Sequence, residues 1–191
     1  MIIMESKTKH IAKQIGSIIF YLISGLLILY ILLELFIPDM TIKVFQFKPF
    51  VVITESMEPV INVDDMVIVY NPNVDELEVG DIITFRADIN YDGTKEIITH
   101  YIYSITENTE GELVFRTNRY GSDVADTWIL QEGDVIGVYG FKIPQLGVFV
   151  NFLKSPFGIA AIAVNVIVIG AIVYIVKSGK KEAVQQENKE A

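Results

Sequence analysis

The stretch from Ile97 to Thr117, IITHYIYSITENTEGELVFRT, decides the fold class of this chain. Two runs rich in β-branched and aromatic residues, Ile97 to Ile105 and Glu112 to Thr117, flank the turn-forming segment Asn108 to Gly111. This pattern predicts an antiparallel β-hairpin, because strands favour such side chains and Asn and Gly favour turns.

The hairpin places the histidine of its first strand beside the segment that follows its second strand. If Glu107 faces Glu112 across the turn, the antiparallel register sets His100 opposite residue 119. We therefore expect His100 to lie close to residues 119–126, a segment that contains two aspartates.

Four more short β-prone runs lie outside this hairpin, separated by turn residues. They are Pro49–Thr54, Met66–Tyr70, Asp81–Arg86 and Asp134–Tyr139. Nothing in residues 38–156 keeps a sustained helical period of 3.6 residues. We therefore predict a mainly β domain over residues 38–156, either a β-sandwich or a partly open β-barrel.

Two uncharged apolar runs of twenty residues frame this domain, at residues 14–33 and 157–176. Each is about as long as the roughly 20 residues that a helix needs to cross a bilayer core. Both are apolar on every face, so we predict transmembrane helices at 14–37 and 157–176. The first run ends in LELFIP without a small-residue cleavage site, which indicates a retained anchor. Ser155 and Pro156 are suited to begin the second helix.

Charge predicts the orientation in the membrane. Residues 38–156 hold 8 basic and 19 acidic residues, a net charge of −11. Because cytoplasmic flanks carry an excess of Lys, we expect a cytoplasmic N-terminus (1–13) and a disordered cytoplasmic tail (177–191), with the β domain on the outer face of the cell membrane. The flanking lysines are Lys7, Lys9, Lys13, Lys177, Lys180 and Lys181.

Composition excludes several classes of function. The net charge of −9 argues against nucleic-acid binding, which needs a basic surface. The chain has no Cys, so it has no disulfide, thiolate metal site or Cys nucleophile. Its two histidines, His10 and His100, lie on opposite sides of the first predicted span, and a typical metal site would need more ligands beside His100. We therefore expect no metal site at His100.

Three side chains of the predicted β domain permit nucleophilic catalysis. Ser56 follows a predicted strand, where its hydroxyl is exposed and backbone N–H groups are near, although the same pattern is typical of a simple turn. Asp123 and Asp126 lie in the loop GSDVADTW, where Asp is usually a turn former. A serine, His100 and one aspartate are the components of a Ser–His–Asp triad. The residues alone leave open whether they form a catalytic triad or are ordinary turn residues.

Several motifs together resemble type I signal peptidases. TESMEP (54–59) is similar to their nucleophile box, in which Ser-Met-x-Pro follows a strand, and VGDIITF (79–85) resembles the next box. ITHYI (98–102) resembles the third box, with His where the bacterial-type enzymes have a general-base Lys. That His marks the archaeal and endoplasmic-reticulum branch, which also occurs in some Gram-positive bacteria. GDVIG (133–137) fits a later stretch, so the resemblance covers about residues 50–147.

The resemblance implies a signal-peptidase-like β domain between two transmembrane helices, and a serine endopeptidase that cleaves N-terminal signal peptides from exported preproteins. Ser56 would be the nucleophile that forms an acyl-enzyme, His100 the general base, and Asp126 the acid that orients the imidazole. The implied partners are signal peptides and the lipid bilayer, without a cofactor, and accessory subunits stay open. The implied substrate and oxyanion neighbourhood is Glu55, Met57 and Pro59.

The acidic motif departs from the family pattern, T-K-G-D-x-N-x-x-x-D. Tyr120 stands at the first Asp and Asp126 at the second, so Asp126 is the predicted acid and Asp123 the alternate. The departure keeps a second hypothesis open, a catalytically lapsed membrane-anchored β-module that binds exported or envelope proteins. A Ser–Lys dyad through Lys95 is a further alternative, although an offset of five residues turns Lys95 and His100 to opposite faces of a strand.

Overall fold

The computed structural model describes the backbone of residues 2–190 and the side chains of residues 11 and 13–178. Two long helices, α1 (Ile2–Phe36) and α4 (Pro156–Glu190), frame the β domain. Their segments Lys13–Phe36 and Pro156–Ser178 have mean hydropathies of 2.5 and 2.8, and neither is buried against the rest of the protein. Both segments are long and apolar enough to cross a membrane.

Helix α4 begins as its sequence predicts and ends later. Ser155 Oγ accepts the backbone N–H of Gly158 at 3.1 Å, which makes Ser155 the N-cap. The helical backbone continues to Glu190, where the polar composition predicted a disordered tail from residue 177. The Ala, Glu, Gln and Lys residues of this tail have high helix propensity. The side chains of four lysines used to predict the orientation lie outside the described residues: Lys7, Lys9, Lys180 and Lys181.

The domain between the long helices is one antiparallel sheet. Its strands are β1 (Phe47–Val51), β2 (Met66–Tyr70), β3 (Ile82–Ala87), β4 (Glu96–Glu107), β5 (Leu113–Asn118), β6 (Leu130–Gln131) and β7 (Val135–Ile143). They are ordered β1-β2-β7-β3-β4-β5-β6, which leaves β1 and β6 at the edges. The predicted mainly β domain is confirmed, with the two-residue strand β6 as an addition too short to be seen in the sequence.

Two short helices join the sheet to the long helices, where the sequence predicted none. They are α2 (Pro38–Phe45) and α3 (Leu146–Lys154). Eight or nine residues are too few to show a helical period, which is why the prediction was wrong here. Tertiary contacts hold them: Ile42 of α2 is buried, and the Gly147 N–H at the start of α3 donates to Asp64 O at 2.9 Å.

The register of the central hairpin was wrong by one residue at its turn. Glu107 pairs with Leu113 rather than with Glu112. The reason is that the Asn108 N–H donates to Glu112 O at 2.9 Å, so the pairing extends one residue further into the turn than the sequence indicated.

A β-bulge restores the predicted register at the other end of the hairpin. The pairing shifts by one residue between Ile102 and Ser104, after which Tyr101 pairs with Asn118. His100 therefore lies opposite the residue that follows Asn118, as the sequence predicted. Without the bulge, a one-residue slip would turn the His100 side chain to the other face relative to β5.

The sheet has two separate apolar clusters. The first joins α2, β2 and β7 to the turn after β1 and contains Ile42, Met57, Ile61, Val67, Val69 and Ile136. The second lies on β3 to β6 and contains Ile83, Phe85, Ala87, Ile102, Phe115 and Leu130. The predicted site residues are divided between these clusters, since Ser56 adjoins Met57 and His100 lies beside Phe85.

Candidate active site

Ser56 lies in the turn that follows β1. The Val52 N–H donates to Asp65 O at 2.9 Å, which ties the end of β1 to the start of β2. Met57 is only 2% exposed and belongs to the first apolar cluster. Because Met57 is anchored in the core, Ser56 is held half-buried at the surface, with its Oγ 3.4 Å from Thr54 Oγ1.

A cleft of about 660 Å³ opens beside Ser56. One wall is the turn after β1 and the other is the loop after β5. The Tyr120 N–H donates to Ser56 O at 3.1 Å and so joins the two walls. Besides Ser56, the cleft is lined by Glu55, Glu58, Arg119, Tyr120, Gly121 and Ser122. Exposed Glu55 therefore borders the cleft, whereas Pro59 is exposed outside its lining and the Met57 side chain is directed into the core.

His100 is buried in the middle of the hairpin. Only 5% of its surface is exposed. Its ring centroid lies 6.3 Å from that of Phe85 and 6.0 Å from that of Trp128. The imidazole therefore packs against two aromatic rings and is shielded from bulk water.

Asp126 is hydrogen-bonded to His100. Its Oδ2 lies 2.7 Å from His100 Nδ1 and accepts the Thr117 hydroxyl at 2.7 Å. Its backbone is fixed as well, because the Asp126 N–H donates to Thr117 O at 2.7 Å and Arg116 Nη2 donates to Asp126 O at 2.6 Å. The loop after β5 thus presents this carboxylate to the histidine.

This arrangement defines the tautomer of His100. When Asp126 is ionised, its carboxylate only accepts hydrogen bonds, so Nδ1 carries the proton, and in the neutral imidazole Nε2 then carries a lone pair. His100 Nε2 is buried and has no hydrogen-bond partner among the described residues. An imidazole in this state can accept a proton from a hydroxyl group.

The structure joins two of the three predicted triad members. Within the described part of the chain, no hydrogen bond links Ser56 to His100. Of the two candidate acids, Asp126 contacts the histidine, whereas Asp123 is exposed and its carboxylate has no hydrogen bond to any described residue.

A family model described as "Signal peptidase, peptidase S26" matches residues 21–117, just over half of the 191 residues. The chain belongs to the peptidase S26 family. The matched segment contains Ser56 and His100 and ends before Asp126. With the two apolar helices, this membership indicates a membrane protein.

Two kinds of signal peptidase are among the relatives. "Signal peptidase I W" of Bacillus subtilis (strain 168) is 34% identical over 95 residues, which cover 49% of this chain and 47% of that protein. "Signal peptidase complex catalytic subunit SEC11C" of Homo sapiens and of Canis lupus familiaris is 27% identical over 104 residues, which cover 51% of this chain and 52% of each relative. The chain therefore matches about half the length of these curated relatives.

The surroundings of Lys95 in this S26 family member differ from those of a Ser–Lys dyad. Lys95 Nζ pairs with Asp134 Oδ1 at 2.6 Å and is not within hydrogen-bonding distance of Ser56. The described residues contain no group of three or more His, Asp or Glu that could hold a metal ion.

Tyr120, which stands where the family's acidic motif has its first Asp, lines the cleft rather than packing against His100. Its side chain is 46% exposed, and its ring centroid lies 6.5 Å from that of Tyr101. Burial raises the pKa of Tyr101 above its ordinary value of 10.0, and the charges of Tyr120 and Tyr139 raise it further. Tyr101 is therefore a neutral phenol at physiological pH.

Sequence reasoning missed the hydrogen-bonding neighbours of Asp126. Thr117 is fully buried, and its hydroxyl lies between Asp126 and Trp128, whose Nε1 donates to Thr117 Oγ1 at 2.9 Å. The predicted hairpin register contained a signal for Thr117. Residue 119 was predicted opposite His100, and residues 117 and 119 lie on the same face of a strand.

Sequence reasoning also missed a buried carboxylate that supports the Ser56 turn. Asp65 is 2% exposed; its Oδ2 accepts Asn62 N–H at 2.9 Å and lies 2.8 Å from Lys142 Nζ, while its Oδ1 accepts Gln145 N–H at 3.2 Å. Burial alone would raise the pKa of Asp65, but the hydrogen bonds from Lys142, Asn62 and Gln145 and the charge of Lys142 hold the pKa below its ordinary value.

Proposed function

We propose that this protein is a membrane-bound serine endopeptidase that removes N-terminal signal peptides from exported preproteins. The observation that carries the proposal is the 2.7 Å hydrogen bond between His100 and Asp126, which leaves Nε2 available as a base in the same domain as Ser56. Membership of the S26 family and the names of the relatives support the substrate class.

In the proposed reaction, Ser56 Oγ attacks the scissile carbonyl carbon while His100 Nε2 takes its proton. The tetrahedral intermediate then breaks its C–N bond, and His100 returns the proton to the leaving amine of the mature protein. The signal peptide stays on Ser56 as an ester. Water, deprotonated by His100, hydrolyses this ester and restores the serine.

The turn after β1 offers donors for the oxyanion of the intermediate. The Ser56 N–H has no hydrogen-bond acceptor among the described residues, so we assign it as one donor. The Thr54 hydroxyl, 3.4 Å from Ser56 Oγ, is the second. The scissile carbonyl oxygen would lie between these two groups.

The substrate is proposed to lie extended along the open edge of the sheet. β1 is an edge strand and leads directly into the Ser56 turn, so its unpaired backbone groups can bind a peptide by strand addition. Small side chains before the cleavage point would fit beside the turn. Because hydrogen bonds between catalytic groups often tighten only with substrate bound, the open Ser56–His100 geometry is compatible with this mechanism.

The membrane helices give the proposed activity its location. A signal peptide's apolar segment lies in the bilayer, so its cleavage site emerges at the surface. Helices α1 and α4 would tether the β domain there, with both termini in the cytoplasm and the domain on the outer face. Accessory subunits belong to the same proposal, because one relative is named as a subunit of a complex.

A lapsed, peptide-binding module is the second candidate function. The observation that favours it is the missing hydrogen bond between Ser56 and His100, together with Tyr120 at the usual position of an aspartate. In that case the cleft would bind exported proteins without cutting them.

Cleavage of a preprotein by the purified, detergent-solubilised chain tests the proposal. We expect the wild type to cut after a small residue, and Ser56→Ala and His100→Ala to lose about 10⁴-fold or more in kcat/KM. A serine-reactive inhibitor should acylate Ser56 in the wild type only. A well-folded wild type that neither cuts nor becomes acylated would favour the binding module.

A further inference from the structure

A chain of three hydrogen bonds ends on His100. Trp128 Nε1 contacts Thr117 Oγ1 at 2.9 Å, Thr117 Oγ1 contacts Asp126 Oδ2 at 2.7 Å, and Asp126 Oδ2 contacts His100 Nδ1 at 2.7 Å. Thr117 is completely buried in the strand β5, and its own carbonyl accepts the Asp126 N–H at 2.7 Å. Threonine and aspartate therefore hold each other by two separate bonds.

The chemistry of the groups determines which atom donates in each of these three hydrogen bonds. An indole nitrogen only donates, so the Thr117 oxygen must accept from Trp128. A hydroxyl has one hydrogen, and with the indole bond in place that hydrogen is directed to Asp126. The Asp126 Oδ2 then receives two donors, Thr117 Oγ1–H and His100 Nδ1–H.

We propose that Thr117 is a positioning residue of this site, whose hydroxyl, oriented by Trp128, holds the Asp126 carboxylate so that His100 keeps its proton on Nδ1 and presents Nε2 as the base. This inference rests on the proposed peptidase function. Thr117 touches neither the substrate nor the reacting atoms and acts only through Asp126.

Few other groups near Asp126 and His100 could hold the carboxylate in place of the Thr117 hydroxyl. Among the described residues, Arg116 is the charged side chain that hydrogen-bonds to the Asp126–His100 pair, and its guanidinium binds the Asp126 backbone carbonyl rather than the carboxylate. The neighbours of the imidazole ring, Phe85 and Trp128, are uncharged. Loss of the Thr117 hydroxyl would remove one of the two donors to Asp126 Oδ2 and so weaken the hold on the carboxylate beside Nδ1.

Three variants separate positioning from packing. Thr117→Val keeps the shape of the side chain and removes the hydroxyl, whereas Thr117→Ser keeps the hydroxyl and removes a methyl group. Thr84→Val is the matched control, because Thr84 is also completely buried in a strand and its hydroxyl bonds Thr99 Oγ1 at 2.8 Å. If Thr117 acts only through packing, Val should be tolerated better than Ser.

We expect Thr117→Val to lower kcat about 10- to 100-fold with KM nearly unchanged. Thr117→Ser should keep kcat within about threefold of the wild type, and so should Thr84→Val. Trp128→Phe, which removes the orienting donor together with part of the ring beside His100, should lower kcat by a smaller factor than Thr117→Val. A Thr117→Val protein with wild-type kcat, beside inactive Ser56→Ala, would overturn the positioning role and leave the peptidase function standing.

The proton resonance of His100 Nδ1–H gives a readout that does not depend on activity. We expect a strongly low-field signal in the wild type that shifts or broadens in Thr117→Val and stays in place in Thr84→Val. An unchanged signal in Thr117→Val would refute the inference even if no preprotein were cut. Should Thr117→Val fail to fold, the same signal in Trp128→Phe decides the matter, since an unmoved resonance there contradicts the orienting role of the indole.

Discussion

The histidine half and the serine half of the candidate active site are built in opposite ways. His100 and Asp126 are joined by a 2.7 Å bond, and the carboxylate and its backbone are held by three further hydrogen bonds. Ser56 lies in a turn, and among the described residues its hydroxyl makes one hydrogen-bond contact, at 3.4 Å to the Thr54 hydroxyl. The proposed base is therefore pre-organised by folding, whereas the proposed nucleophile has a hydroxyl that is free to engage a substrate.

The difference has a physical origin in the two apolar clusters. The proposed base, His100, is surrounded by buried side chains of β3 to β5, where a low dielectric makes each hydrogen bond stronger and an unpaired group costly. The proposed nucleophile, Ser56, is held by its neighbour Met57, which is buried in the other cluster, and by the bond from the Tyr120 N–H to its carbonyl. The serine half is therefore held by fewer hydrogen bonds than the histidine half.

The largest effect should come from breaking the pre-organised half. We expect Asp126→Asn to lower kcat/KM by roughly 10²- to 10⁴-fold, because an amide can stabilise the wrong tautomer of His100. Preprotein cleavage rates measure this loss. Asp123→Asn is the matched control, and we expect its rate to stay within about twofold of the wild type. A larger loss in the Asp123 variant than in the Asp126 variant would reverse the assignment of the acid.

The next effect should come from the serine half. Thr54→Val removes the hydroxyl that we assign to the oxyanion site, and we expect kcat to fall about 10- to 10³-fold, with KM little changed. Thr54→Ser keeps the hydroxyl and should stay within about fivefold of the wild type. Equal rates for the Val and Ser variants would show that Thr54 does not bind the oxyanion.

A stability effect should follow from removing the support beneath the Ser56 turn. Asp65→Asn leaves Lys142 without its partner, and we expect a loss of about 1–3 kcal/mol in the free energy of unfolding at neutral pH. Thermal unfolding, followed by the fluorescence of Trp128, the single Trp of the chain, measures this loss.

The same residue predicts a pH dependence. Because the pKa of Asp65 is held below its ordinary value of 3.8, its ionised form contributes stability at pH values above 3.8. That contribution is lost as the pH falls through the lowered pKa of the folded state. The difference in stability between the wild type and Asp65→Asn should therefore shrink under strongly acidic conditions, and a difference that grows there would contradict the assignment.

The smallest effect should come from Lys95. Its ion pair with Asp134 is 55% exposed on the lysine side, and exposed pairs contribute at most about 1 kcal/mol. We expect Lys95→Ala to retain wild-type cleavage with a slightly lower melting temperature. Loss of cleavage in Lys95→Ala, with His100→Ala still active, would replace the histidine mechanism by a Ser–Lys dyad.

Strong local patterns explain why much of the fold was predictable. Strand β2 has the same bounds, Met66–Tyr70, in the sequence prediction and in the structure, because Val and Ile alternate directly before an Asn-Pro-Asn turn. Helices α2 and α3 were missed since their eight and nine residues depend on contacts with Asp64 and the first apolar cluster. The bulge between Ile102 and Ser104 has no local signal either.

The sequence by itself determined the chemical inventory: a serine after a strand, one histidine in the hairpin, two aspartates in one loop and two apolar runs of membrane-spanning length. Hydrophobic periodicity and residue chemistry are local properties, so they can be read along the chain. Only the tertiary structure decided that Asp126 rather than Asp123 contacts His100, and that the Thr117 hydroxyl lies between Asp126 and Trp128. Those choices depend on a one-residue bulge and on loop contacts between distant strands, and hydrogen bonds require positions accurate to a few tenths of an ångström.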